Sequence, residues 1–170
     1  MAISNSERIG KGLELLRNGL VPFVERELKA EYGKQWLETV RYTFPKDKDA
    51  IKDGAVQWDA HRILMVMWEQ WNSVFKKTLG HDERNYVSEL RDVRNRWAHQ
   101  NAFTYDDTYR ALDTMARLLR AVSAKEAEEI EKMAQETMRV RFAEQARQEV
   151  RKKSVVSLEG SPRNSSAVPF

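Results

Sequence analysis

The chain has no cysteine, which removes disulfides, thiol nucleophiles and cysteine-ligated zinc or iron centres together. Histidine is nearly as scarce, with three copies in 170 residues: His61, His81 and His99. Their spacing is poor for zinc and no thiolate supports them, so neither a metal nor a cofactor is expected. Long apolar runs are missing too. No stretch of eighteen apolar residues exists, and the first turns of the chain carry Ser4, Asn5, Glu7, Arg8 and Lys11 where a signal peptide would be apolar. The expectation is a soluble, cytoplasmic protein with no membrane partner. Charge of one sign is also short: 29 Lys and Arg against 26 Asp and Glu leave +3, with a pI near 9.1. Taken alone, that balance is weak evidence for a polyanion partner, because the sum hides where the charges sit.

What is present is helical patterning almost throughout, with no convincing strand alternation and no internal repeat. With 41% hydrophobic residues the chain is long enough for one domain with a real core, plus a tail. Ser4-x-x-Glu7 is a capping-box pattern, and Ile9, Leu13, Leu16, Leu20, Phe23, Val24 and Leu28 then recur on one helical face. Pro22 is expected to kink or split that helix. A short helical piece follows around Gln35 to Tyr42, and Pro45 to Gly54 reads as a charged loop. A second long helix is expected from Trp58 to Leu79, ended by Gly80-His81-Asp82, and a third from Glu83 to Trp97 with Tyr86, Val87, Leu90, Val93 and Trp97 inward.

Thr104-x-x-Asp107 opens a fourth helix, with Tyr109, Leu112, Met115, Leu119 and Val122 as its apolar face, and Ser123-x-x-Glu126 is read as the cap of a fifth. That last helix, to about Arg151, has only a thin stripe of Ala127, Ile130, Met133 and Met138, and is expected to project or to pack on a partner. From Lys153 the composition turns to Ser, Pro, Gly and Asn. The reading is an all-α bundle of about five helices over residues 1–152, followed by a disordered tail or linker over 153–170.

The stretch richest in chemistry is Arg91-Asp92-Val93-Arg94-Asn95-Arg96-Trp97-Ala98-His99-Gln100. Arginine forks hold phosphate, and histidine moves protons near neutral pH because its reference pKa is about 6.5. Cleaving RNA without a metal means deprotonating a ribose 2′-hydroxyl, holding the phosphorane and protonating the leaving 5′-oxygen. The ribose supplies the nucleophile, so the protein needs none. Arg94 and His99 lie five residues apart, so an unbroken helix would point their side chains about 140° apart. Either the helix ends near Trp97 and His99 turns back, or a site is composed across a two-fold dimer, or both.

These residues resemble the motif of the HEPN superfamily, the higher eukaryotes and prokaryotes nucleotide-binding domains: an Arg, often followed by Asn, then a His. Arg94, Asn95 and His99 stand at those positions, and the flanks Ser88 to Gln100 and Trp68 to Asn72 are similar to the HEPN subgroup named after a nuclear messenger-RNA quality-control endoribonuclease. The likeness spans roughly residues 5 to 150. It implies a HEPN-like helical bundle that forms a homodimer with its motifs facing each other. It also implies a metal-independent endoribonuclease that acts on single-stranded or looped RNA and leaves a 2′,3′-cyclic phosphate. Arg94 would hold the scissile phosphate, Asn95 orient and His99 transfer protons.

Bacterial members of that subgroup sit beside ATPase or helicase-like domains, some in phage defence, so such a partner is implied as well. The alternative is a non-catalytic module for dimerisation or nucleic-acid and nucleotide binding. The acidic or polar residue upstream of the arginine falls on Glu89 or Asp92, and both stay open. A tyrosine found two residues after the histidine in one toxin-type variant is absent, since Asn101 stands there.

Around the motif, Arg91 and Arg96 are candidates for RNA phosphate, against the plainer reading of surface or salt-bridging residues. Glu69 and Asn72, a three-residue step apart, are expected to turn a polar side towards the motif. His61 reads as structural and His81 as exposed in a turn. Trp58, Trp68, Trp71, Phe75 and Trp97 fit core or dimer packing better than base stacking, by their helical spacing. Arg147, Arg151, Lys152 and Lys153 read as a solvated charge run at a domain edge.

Overall fold

Ser4 begins the first helix by accepting a hydrogen bond from the Glu7 backbone N–H at 3.1 Å, the expected cap. The computed structural model describes residues 3–165. Helix α1 (Asn5–Tyr32) buries Ile9, Leu13, Leu16, Leu20, Phe23, Val24 and Leu28 and ends at Gly33, whose φ of 56° suits glycine. It runs unbroken through Pro22, so the expected split does not occur. Pro22 is exposed, which leaves the carbonyl that loses its N–H donor open to water, while the buried Leu20, Phe23 and Val24 hold the flanking turns.

A short α2 (Trp36–Thr43) follows. The expected charged loop contains a minimal hairpin, β1 (Ile51–Lys52) and β2 (Ala55–Val56), with Ile51 opposite Val56. Asp53 and Gly54 both take positive φ, 54° and 74°, as a tight two-residue turn of mirror-image type requires. Two residues per strand are too few to show alternation in the sequence.

Helix α3 (Ala60–Glu69), capped by Asp59 accepting from the Arg62 N–H at 2.7 Å, is half the length its apolar spacing predicts. Trp71, Val74, Phe75 and Leu79 are buried beyond its end. Helix-like bonds persist there in fragments, Val74 N–H to the Gln70 carbonyl at 2.8 Å and Lys76 N–H to that of Trp71 at 3.0 Å. The apolar period therefore outlasts the helix. Helix α4 (His81–Ala98) opens at Gly80, whose N–H donates to the Glu83 carboxylate.

Thr104 caps α5 (Tyr105–Ala121) through the Asp107 N–H. Ser123, by contrast, caps nothing. At φ 58° it sits in the left-handed region and closes α5, with its N–H on the Arg120 carbonyl and the Ala124 N–H on that of Leu119 at 2.9 Å.

Helix α6 (Glu126–Ser165) then packs Ala127, Ile130, Ala134 and Thr137 on the bundle. Two ties extend that seam, Tyr105 Oη to Glu144 at 2.8 Å and Arg141 to Asp106 at 3.0 Å. Every residue from Gln145 to Val156 is exposed. The helix passes residue 153, where composition alone predicts loss of structure; residues 166–170 of that expected tail lie outside the described residues. The bundle is all-α apart from the hairpin. Five helices of ten residues or more and the short α2 make it up, with α1 touching α3, α4, α5 and α6.

Gly12 and Gly19, seven residues apart on one face of α1, allow the close approach of α5. A Cβ on Gly12 would come within 2.7 Å of Leu112, and one on Gly19 within 2.6 Å of Leu119. No helix among the described residues is long and apolar enough to cross a membrane.

Candidate active site

The motif occupies the last two turns of α4, and the way that helix stops decides where its side chains go. The helix continues through Ala98, and the His99 N–H still bonds the Asn95 carbonyl at 3.0 Å. The reversal comes one residue later. Gln100 takes φ 60°, its N–H bonds the Trp97 carbonyl at 3.1 Å, and the Asn101 N–H bonds that of Arg96 at 2.9 Å. His99 therefore keeps its helical bearing instead of turning back. Asn95 and His99, four residues apart, share one exposed face, about 40° from each other, whereas Arg94 points about 140° from His99.

Arg94 is half-buried and lines a cleft of about 460 Å³ between three helices. Leu13, Glu14 and Arg17 contribute from α1, Asp59 and His61 from the start of α3, and Trp97 from α4. The Trp97 indole roofs the first turns of α1: its Nε1–H donates to the Ser6 carbonyl at 3.1 Å, and a Cβ on Gly10 would stand 3.1 Å from its ring. Trp97 thus pins the end of α4 to α1, but stays partly exposed instead of entering the core as its place in the inward stripe predicts.

His61 is the residue that sequence reasoning under-reads. Burial lowers the pKa of its imidazole below the ordinary value, and the Arg94 charge adds to this; Asp59 acts the other way, while Arg62 and Arg91 reinforce the depression. The cleft thus joins a guanidinium to an imidazole of lowered proton affinity. Helices α3 and α4 run antiparallel across the connection from Gln70 to Gly80, which sets the start of one beside the end of the other, a pairing that no local pattern reports.

The same antiparallel packing sends Glu69 and Asn72 elsewhere. Trp68, next to Glu69, lies under Arg84 and Arg91 of α4, whereas His61 meets Arg94. Glu69 and Asn72 are exposed and neither lines the Arg94 cleft, so the expected polar side facing the motif is not formed.

The two carboxylates left open upstream of Arg94 separate clearly. Glu89 accepts a hydrogen bond from Arg110 of α5 at 2.5 Å, while Asp92 is exposed on the same side of α4 as Asn95 and His99. Arg96 is engaged in the fold. It reaches the Ala102 carbonyl and the Asp107 carboxylate, both at 3.3 Å, and covers the Phe103 ring at 4.6 Å. Burial pushes the Asp107 carboxyl up, yet the bonds from Arg96 and Thr104 outweigh it and hold that carboxyl below its usual range. Arg96 thereby ties the turn after the motif to α5. Arg91 stacks over Trp68 at 5.4 Å.

Chemically, the last turns of α4 offer a half-buried guanidinium in a cleft and, on a different exposed side, an amide, an imidazole and a carboxylate. The family that this helical bundle belongs to supports a nucleotide-binding or RNase-type module. More particularly, the chain belongs to the Swt1-like HEPN family, whose model matches residues 11–123. HEPN domains are generally RNases. No curated protein and no solved structure matches the chain.

Proposed function

We propose that the chain is a metal-independent endoribonuclease domain for single-stranded or looped RNA, with each site composed across a two-fold homodimer. The observation that supports this most strongly is the pairing of opposites on α4. Arg94 stands half-buried at a cleft and forms no ion pair among the described residues, while Asn95 and His99 face outwards on a different side. A second copy bringing its exposed Asn95–His99 face to the cleft mouth supplies what one protomer keeps apart.

The 2′-oxygen of the ribose then attacks phosphorus, its proton passing to a neutral imidazole. Arg94 stabilises the charge that grows on the non-bridging oxygens, and a protonated histidine gives its proton to the leaving 5′-oxygen. The products are a 2′,3′-cyclic phosphate and a 5′-hydroxyl. Asn95 orients the imidazole or the phosphate.

A second reading is a non-catalytic nucleotide-binding or dimerisation module. It draws on the cleft itself, whose apolar Leu13 and Trp97 and mixed charges, Arg17 and Arg94 beside Glu14 and Asp59, suit a small polar ligand such as a nucleotide. Under either reading the exposed outer part of α6, with Phe142 at 58% and Val150 at 63% exposure, is a surface for an ATPase or helicase-like partner in defence or RNA quality control.

The test is incubation of the purified chain with end-labelled single-stranded RNA in EDTA, beside His99→Ala. Wild type should yield fragments ending in cyclic phosphate, and the variant should lose at least about 10²-fold in rate, the lower end of a positioned acid or base. Cleavage by His99→Ala at the wild-type rate removes His99 from the chemistry; no cleavage by wild type selects the binding module.

A further inference from the structure

The two long sides of α4 treat charge differently. Towards α5, Glu89 is paired with Arg110 and Arg96 with Asp107. Towards α3, three half-buried guanidiniums, Arg84, Arg91 and Arg94, have no carboxylate within ion-pair distance among the described residues. Arg84 and Arg91 instead lie over the indole of Trp68, at 5.1 and 5.4 Å from the ring centroid. The Arg84 Nε–H is buried with no acceptor.

A cation–π contact offsets only part of what partial burial costs a charge, and a buried donor without a partner costs more. A row of such cations is stable but unsatisfied, which is the condition an incoming polyanion relieves. The row is also straight. Positions 84, 91 and 94 fall within roughly 80° of arc and span about 15 Å along the helix axis. It ends at the cleft where Arg94 stands.

We propose that the row of guanidiniums along the α3-facing side of α4 is the track for the single-stranded RNA backbone: Arg84 and Arg91 grip phosphates on one side of the scissile position and Arg94 holds the scissile phosphate itself. Planar guanidiniums already oriented by Trp68 present their outer N–H groups as forks, the geometry phosphate oxygens match. The track rests on the RNA reading above and gives the substrate a direction across the site. An acidic protein segment is the competing ligand, and the row's run into the Arg94 cleft favours RNA.

The experiment uses the full chain and an uncleavable all-2′-O-methyl oligouridine, with affinity measured against salt concentration. Arg84→Gln and Arg91→Gln should each weaken binding and lower the slope of log affinity against log salt by about 0.7, the value for one phosphate contact to a single strand. Lys125→Gln, an exposed cation at the α5–α6 junction, should leave the slope at its wild-type value. Arg84→Lys keeps the charge and should keep the slope, which guards against a fold defect in the Gln variant.

Slopes unchanged in Arg84→Gln and Arg91→Gln, or no binding by wild type, would overturn the track. Displacement of the oligonucleotide by polyglutamate at equal charge concentration would overturn its assignment to RNA. Because the probe cannot be cleaved, a chain that fails to cut RNA yet shows these slopes fails the catalytic reading alone. A chain that cuts RNA with unaltered slopes fails only the track.

Discussion

His61 and Arg94 face one cleft, and each alters what the other can do. Burial lowers the pKa of the His61 imidazole, and the Arg94 guanidinium lowers it further by raising the cost of a second positive charge in the cleft. The relation is measurable by NMR. The His61 titration should have its midpoint below the ordinary value of about 6.5, and Arg94→Ala should move it upwards; an unmoved midpoint would contradict the shared cleft. The stability consequence has a definite sign. Because the folded pKa is depressed, the unfolded chain binds the proton more readily. This contribution to stability is present above the unfolded pKa and is lost as pH falls from there towards the folded one.

At the scale of the element, the motif depends on how α4 ends. Gln100 in the left-handed region does what glycine usually does at this place in the turn, at a conformational cost of about 1–2 kcal/mol for a residue with a side chain. Glycine would relieve that strain but lose about 0.5–1 kcal/mol to the greater freedom of the unfolded chain. Gln100→Gly should therefore stabilise by up to about 1 kcal/mol and raise the Tm by about 2–4 °C in a thermal scan. A lowered Tm would show that the Gln100 side chain makes contacts that outweigh its backbone strain.

Much of this was legible locally. Ser4-x-x-Glu7 and Thr104-x-x-Asp107 mark true helix starts because a cap and the N–H it accepts from lie within one turn, and the α1 stripe buries as its spacing implies, as do Leu112, Met115 and Leu119 of α5, whereas Tyr109 stays exposed. Ser123-x-x-Glu126 has the same spacing, but its serine is already spent ending α5, and nothing local reports that φ. The end of α3 was hidden because Trp71, Phe75 and Leu79 keep a helical period through irregular turns. In the site, Arg94, Asn95 and His99 stood out by type and spacing. His61 did not, since its meaning comes from a residue thirty-three positions away that only the antiparallel α3–α4 packing brings near. Arg84 was invisible for the same reason: its stacking on Trp68 is a property of the pair of helices.

For the whole molecule, the proposed function has one protomer supplying half of each site. Arg94 opens into a cleft of its own subunit, and Asn95 with His99 lies on a different side of α4; under the proposed function a second copy brings the two together. The exposed motif face, not the exposed outer part of α6, is the surface the two copies would share. Sedimentation should accordingly find dimers at the concentrations where RNA is cut. The most direct measurement mixes two inactive proteins. Arg94→Ala and His99→Ala should each fail to cleave end-labelled RNA in EDTA, and after subunit exchange the mixture should cleave, because a mixed dimer rebuilds one complete site from the Arg94 of one protomer and the His99 of the other. A mixture as inactive as its parents, beside an active wild type and proven exchange, would contradict the composite site.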